Sequence, residues 1–203
     1  MIPALEALKR LREGNRRFIK GESKRGPIKP TDMSDGQEPF AIILGCSDSR
    51  VPAELVFDQG LGDLFVIRVA GNIVAPSQVG SVEFAAEAFH TRLVVVMGHT
   101  KCGAIQATVD QLLHPAATRS PNLRDIVDRI RPAVAGLFTD RLEGTDALMR
   151  AAMRANVAAS ASHLRHGSEI LEKLTLTKGL VVVGAEYSLE TGAVDFFDGV
   201  PAD

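Results

Sequence analysis

Apolar residues follow two rhythms along this chain. Near the start, Leu5, Leu8, Leu11 and Phe18 recur at helical spacing among basic residues, which predicts an amphipathic helix from Pro3 to about Lys20. Further on, unbroken apolar runs of strand length and β-branched content lie at Phe40–Gly45, Leu64–Val69, Leu93–Met97 and Leu180–Gly184. A last run, Ala193–Phe197, follows a turn containing Glu190 and Gly192. Helical periodicity fills the intervals at Gln78–Phe89, Cys102–Leu113, 122–138 and 145–166, with a shorter stretch near 167–174, whereas 21–38 and 114–120 have loop composition. Continuous apolar strands alternating with helices predict an α/β fold. Its sheet is mostly parallel and covered by helices, and the final pair forms an antiparallel edge. With no internal repeat or domain boundary, 1–203 is expected to be a single domain: 1–36 as an N-terminal helical arm and loop, 37–203 as the α/β core. The helical segment 122–174 belongs to that core. Its long stretch 122–166 either forms an interface or packs on the chain's own sheet.

Composition narrows the class. The 203 residues are 45% hydrophobic and 24% charged, which suits a globular chain and not a disordered one. A net charge of −2 offers no basic field for nucleic acid or anionic lipid. No uncharged apolar run approaches the roughly 18 residues of a membrane span, and the start lacks the apolar core of a signal peptide. We therefore expect a soluble, cytoplasmic chain that binds neither nucleic acid nor membrane. The two cysteines are too few for a disulfide framework in such a compartment.

Open α/β sheets bind ligands in the crevice beyond the carboxyl ends of their strands. The two segments richest in reactive side chains, CSDSR and GHTKCG, each follow a strand directly, so chain order alone brings them to the same rim. That rim gathers Cys46, His99 and Cys102. Singly, a cysteine after a strand is more often a small buried hydrophobe than a ligand, and His-x-x-Cys alone is a weak signal. The three together favour a metal. Thiolate and imidazole point to zinc, and a Cys₂His set leaves the fourth tetrahedral position open, as catalytic sites do. Asp48 and Arg50 stand beside Cys46. They read either as a loop ion pair of little consequence or as a dyad, in which the arginine keeps the carboxylate ionised and aimed at metal-held hydroxide. Asp48 swinging onto the metal instead would give a closed state with a fourth protein ligand. His90, His114, His163 and His166 have no such companions and read as surface or packing residues.

CSDSR followed by GHTKCG closely resembles the β-class carbonic anhydrases, from about Gln37 to Leu112 and more loosely at both ends. The resemblance implies a Rossmann-like sheet. It also implies an obligate dimer with arms packed across the partner and active sites at the subunit interface, often paired into tetramers. It assigns one Zn²⁺ per subunit to Cys46, His99 and Cys102, and the dyad to Asp48 and Arg50. Gln37 matches a position that contributes a side-chain amide to the substrate pocket. Phe65 and Ala70 match apolar wall positions suited to uncharged CO₂, and Gly103-Ala104 stands where two glycines often follow the second cysteine. Members with an inhibitory bicarbonate pocket resemble one another in a Trp, an Arg and a late Tyr. Here those places hold Ile43, Arg68 and Tyr187, so that pocket is expected to be weakened or absent, with Asp48 off the metal near neutral pH. Phe84 replaces a Tyr of some members and removes a hydroxyl that would relay protons.

The activity this implies is reversible hydration of CO₂ to bicarbonate and a proton, by hydroxide held on zinc. Two alternatives are hydrolysis of COS or CS₂ on the same scaffold, and a non-catalytic zinc-binding module with Asp48 as permanent fourth ligand. A nucleotide site is disfavoured, because neither a G-x-x-x-x-G-K-[ST] loop nor a strand followed by G-x-G-x-x-G is present.

Overall fold

The computed structural model describes residues 2–24, 36–114, 120–139 and 145–201. The loop predictions at 25–35 and 115–119 fall outside them. Five strands form one sheet in the order β2-β1-β3-β4-β5: β1 Ala41–Gly45, β2 Leu64–Arg68, β3 Leu93–His99, β4 Val181–Tyr187 and β5 Val194–Asp198. The first four run parallel, and β5 pairs antiparallel with β4 across the hairpin the sequence predicts. β1 and β3 are buried along their whole length, as strands covered on both faces must be.

Alternate side chains feed two cores, because successive Cβ atoms leave a strand on opposite faces. Ile42, Leu44, Val94, Val96 and Val182 face a layer built from α3 (Pro76–Ala88), α4 (Gly103–Leu113), α5 (Pro121–Val134), α6 (Thr145–His166) and α7 (Glu169–Lys178). Ala41, Ile43, Val95, Met97, Val183 and Ala185 face α1 (Ala4–Lys20) and the one-turn α2 (Ala53–Val56). The role left open for 122–166 is thereby settled for α6. Its Ala152, Met153, Val157, Ala161 and Leu164 are buried against the chain's own sheet, and Gly98 and Gly184 leave β3 and β4 bare where Val157 presses on them.

Sequence periodicity misplaced some boundaries. β3 runs two residues beyond Met97 and β4 three beyond Gly184, because glycines interrupt the apolar runs without interrupting the ladder. α2 is too short to show a period. The helix predicted to 174 reaches Lys178, where Gly179 closes it at φ 68°.

Within this chain α1 docks on its own core: Ala7, Leu8 and Leu11 are buried. Asn15 Nδ2 donates to the carbonyls of Val56 and Gly192, while its Oδ1 accepts from the Val194 N–H. Gly14 permits the approach, since a Cβ there would lie 1.8 Å from the Phe57 carbonyl oxygen. Beyond it Asp58, at φ 48°, accepts from Arg17 Nε at 2.6 Å, Ser23 Oγ at 2.6 Å and the Lys24 N–H at 3.1 Å. Burial opposes the charge on Asp58, and these three donors overcome it, holding its pKa at about 2.

Two outcomes follow for stability. Gly14→Ala meets rigid backbone and should cost about 3 kcal/mol or more, read as a lowered urea midpoint at unchanged m-value. Asp58 ionises more readily folded than unfolded, so its contribution is complete above pH 4 and fades as pH falls toward 2. Asp58→Asn should cost about 2 kcal/mol at pH 7, with the gap from wild type closing between about pH 4 and pH 2 in parallel denaturation curves.

Candidate metal centre

The register of the parallel sheet builds this site. Gly45, the last residue of β1, lies opposite Met97 of β3. Cys46 therefore leaves β1 at the level where β3 is finishing its course to His99, and Cys102 caps the start of α4 three residues later. All three are buried, and their donor atoms lie within 4.8 Å of one another.

The imidazole is committed to one tautomer. His99 Nδ1 lies 2.8 Å from the Thr100 carbonyl, which only accepts, so Nδ1 carries the proton. Nε2 is then a bare lone pair, buried without a hydrogen-bond partner between two sulfurs. Such an orphan is costly in a core and expected of a metal ligand whose other nitrogen is anchored.

Charge in the cluster is held by one sulfur. Hydrogen bonding from Cys102 is the main cause that lowers Cys46 to about 4; burial opposes it, and His99, the Asp48 backbone and the Gly71 N–H, 3.4 Å away, add to it. Cys102 is pushed up by its bond to Cys46, by burial and by the neighbouring charge. Burial pulls His99 down, but the adjacent Cys46 sulfur and its charge outweigh it and raise the imidazole. Without a cation the cluster is one thiolate sharing its surroundings with one thiol. A divalent cation would let the second sulfur ionise. A soft, buried Cys₂His donor set with an unpartnered imidazole nitrogen suits zinc.

Asp48 stands at the edge of this cluster, its Oδ2 3.9 Å from His99 Nε2. Arg50 grips it bidentately, Nε to Oδ1 at 2.9 Å and Nη2 to Oδ2 at 2.7 Å, and the Arg50 N–H adds a third bond to Oδ1. That grip holds Asp48 well below the usual carboxylate range. Arg68, from the end of β2, donates to the carbonyls of Cys46 at 3.0 Å and Asp48 at 2.6 Å, which fixes the loop carrying both.

The fold agrees with relatives of known class. The sequence profile described as carbonic anhydrase matches residues 41–194. "Carbonic anhydrase 2" of Mycobacterium tuberculosis is 36% identical over 190 residues, covering 92% of this chain and 89% of the relative. The carbonic anhydrase of Mycolicibacterium smegmatis is 34% identical over 197 residues, covering 93% and 91%. Among solved structures, the β-carbonic anhydrase of Coccomyxa in complex with acetazolamide superposes with TM-score 0.71 at 26% identity, covering 91% of this chain and 83% of that one. A tetrameric β-carbonic anhydrase of Sordaria macrospora shares the fold, with TM-score 0.76 at 20% identity over 91% and 93%. The chain belongs to the β-class carbonic anhydrases. These are zinc enzymes, and Cys46, His99 and Cys102 form the cluster here that is able to hold the ion.

Other positions inferred for this β-class chain scatter. Ala70 opens the turn whose next residue bonds the Cys46 sulfur. Gly103 follows Cys102 and lines a cavity of about 930 Å³ together with His99, Met149, Met153 and Glu186. Phe65 sits opposite Ile42, four residues back from Cys46, in an aromatic group with Phe84 and Phe89 at centroid distances of 6.2 and 6.0 Å. Gln37 is exposed on the approach to β1, at the opposite rim of the sheet from the metal cluster of its own chain. Ile43 and Tyr187 are buried on the α1 side.

Sequence reasoning missed the clamp on the second ligand loop. Thr100 Oγ1 donates to Glu190 Oε2 at 2.7 Å and accepts from the Leu189 N–H, and Lys101 pairs with Glu190 Oε1 at 2.9 Å. Only the hairpin turn at 190–192 hinted at it. Cys46→Ser should abolish stoichiometric zinc binding, measured by metal analysis after dialysis, whereas Arg50→Ala should keep one zinc per chain.

Proposed function

We propose that the chain catalyses reversible hydration of carbon dioxide with Cys46, His99 and Cys102 as zinc ligands and Asp48 and Arg50 as the dyad beside them. The observation that carries this reading is the unpartnered His99 Nε2, buried among two sulfurs next to a carboxylate already saturated by an arginine. Zinc, when bound, supplies a Lewis acid that brings the pKa of water toward about 7 and so provides a nucleophile for CO₂.

The chain's own residues govern the rest. Cys46, His99 and Cys102 would bring two negative charges to a divalent ion. Asp48, with its Oδ2 3.9 Å from His99 Nε2 at the edge of the cluster, would accept a hydrogen bond from the attacking oxygen and orient it. Arg50 keeps that carboxylate ionised and turned, and Arg68 holds the loop through two carbonyls. A carboxylate with three donors from Arg50 gains less from moving onto the metal, which disfavours the non-catalytic reading with Asp48 as fourth ligand. With Arg68 committed to the carbonyls of Cys46 and Asp48, and Ile43 in place of an indole, an inhibitory bicarbonate pocket is weak here.

Gln37 and Phe65 serve substrate binding from a second copy. Gln37 lies at the wrong rim to reach the cluster of its own chain, which five residues of β1 separate from it. β2 is a sheet edge whose aromatic group includes Phe84, 55% exposed. An exposed apolar edge of this kind is normally covered, which supports a homodimer or homotetramer. No described helix is long and apolar enough to cross a membrane. Free ligand thiols fit a reducing compartment, so we place the enzyme in the cytoplasm.

Stopped-flow CO₂ hydration on the zinc-loaded protein tests the activity; no rate above buffer at alkaline pH rejects it. Arg50→Ala should lower kcat about 100-fold with zinc retained, and an unchanged rate removes the dyad. Sulfide release from COS or CS₂, assayed alongside, separates the analogue hydrolase.

A further inference from the structure

Helix α6 buries two polar side chains, Asn156 and Ser160, one turn apart on a face that otherwise presents Ala152, Met153, Val157, Ala161 and Leu164 to the core. Buried amides and hydroxyls are costly unless bonded. Asn156 Nδ2 donates to the Gly71 carbonyl at 2.8 Å, and Ser160 Oγ donates to the Asn72 carbonyl at 3.2 Å. Both acceptors lie in the turn Ala70–Asn72 after β2, where the backbone enters the left-handed region at Gly71 (φ 69°) and Asn72 (φ 43°). A side chain at Gly71 has no room: its Cβ would lie 2.9 Å from both Ala104 Cβ and Ile130 Cδ1. On its other flank, the Gly71 N–H donates to Cys46 Sγ at 3.4 Å.

We infer that Asn156 is a positioning residue for the metal centre, locking Gly71 so that its N–H stays aimed at the Cys46 sulfur. The inference rests on Cys46 being a metal ligand. A hydrogen bond to a thiolate withdraws electron density from sulfur, so the angle of one peptide sets how strongly Cys46 donates to a cation. A turn with two successive residues at positive φ does not keep that angle unaided, because its strain relaxes unless the surroundings fix it. Asn156 supplies the fixing contact from an element 85 residues away in sequence.

Cobalt(II) in place of zinc reports the thiolate directly. In Asn156→Asp, which keeps the shape and sets an oxygen against the Gly71 carbonyl, and in Asn156→Leu, which keeps the volume, the sulfur-to-cobalt charge-transfer band should move to longer wavelength. Zinc loss to a chelator should speed up about 10- to 100-fold, because a Cys46 sulfur relieved of its donor is more basic, takes up a proton more readily and is no longer held in place. Ser160→Ala, which leaves the Asn156 bond intact, should lower the melting temperature yet keep the wild-type band and chelation rate. Variants at 156 that lose thermal stability but keep the wild-type band and rate overturn the inference and leave Asn156 a packing residue. Should neither variant fold, cadmium-113 in the wild-type protein decides. Scalar coupling to the Gly71 amide proton supports the bond and its absence overturns it. A wild-type chain that takes up neither cobalt nor zinc overturns the metal reading and this one together. Metal uptake with unaltered variants overturns this one alone.

Discussion

Two sulfurs and a bare imidazole nitrogen, packed within 4.8 Å of one another and away from water, are an unfavourable cluster unless a cation joins them. The surrounding structure has to hold that cluster together before the cation arrives. Parallel register does most of this, since β1 and β3 end within a residue or two of each other and deliver Cys46 and His99 to one rim. The remaining freedom lies in two loops, each tied by side chains from other elements. Arg68 fixes the Cys46–Asp48 loop through its carbonyls, and Glu190 fixes the His99–Cys102 loop through Thr100 and Lys101. Ligands held in place before binding spend little entropy on binding.

The same rigidity explains how the electrostatics divide. Arg50 shares the carboxylate of Asp48 and keeps it from competing with the sulfurs for the ion. Of the two sulfurs Cys46 ionises more readily, chiefly through its hydrogen bond from Cys102, and the Gly71 N–H adds to this. Each anionic group near the metal therefore has its own dedicated donor. The site thus separates a cluster able to hold an ion from a carboxylate that, on the proposed reading, orients what the ion activates.

Much of this was legible in the sequence because it depends on local pattern. Buried parallel strands leave unbroken apolar runs, so β1, β3 and β4 were visible, and chain order placed CSDSR and GHTKCG on one rim without any coordinates. What stayed hidden depends on donors that meet backbone carbonyls. Arg68, Asn156 and Ser160 satisfy acceptors present in every residue, so no spacing marks them. α6 was ambiguous for a related reason: its polar residues Asn156 and Ser160 lower the apolar contrast of the face that is in fact buried. The seating of α1 turned on Gly14 and Asn15, where one missing side chain and one amide let the helix approach the Val56–Phe57 backbone.

Gln37 carries the opposite lesson. Its match to a substrate-pocket position comes from motif spacing, and spacing along a strand says nothing of which copy of the chain is served. Cys46 lies nine positions after Gln37, and β1 occupies five of the eight residues between them. An extended strand advances about 3.3 Å per residue, so the two ends of β1 stand on opposite rims. A side chain at the entry rim can enter a site at the exit rim only if a second sheet is set against the first. β2, with Phe65, Phe84 and Phe89 beside it, is the edge where such a sheet would lie. On the proposed reading, holding the metal would be a property of one folded chain, whereas shaping the space for a small, uncharged substrate would belong to the assembly. Loss of the edge contact would leave the zinc in place and the pocket unfinished.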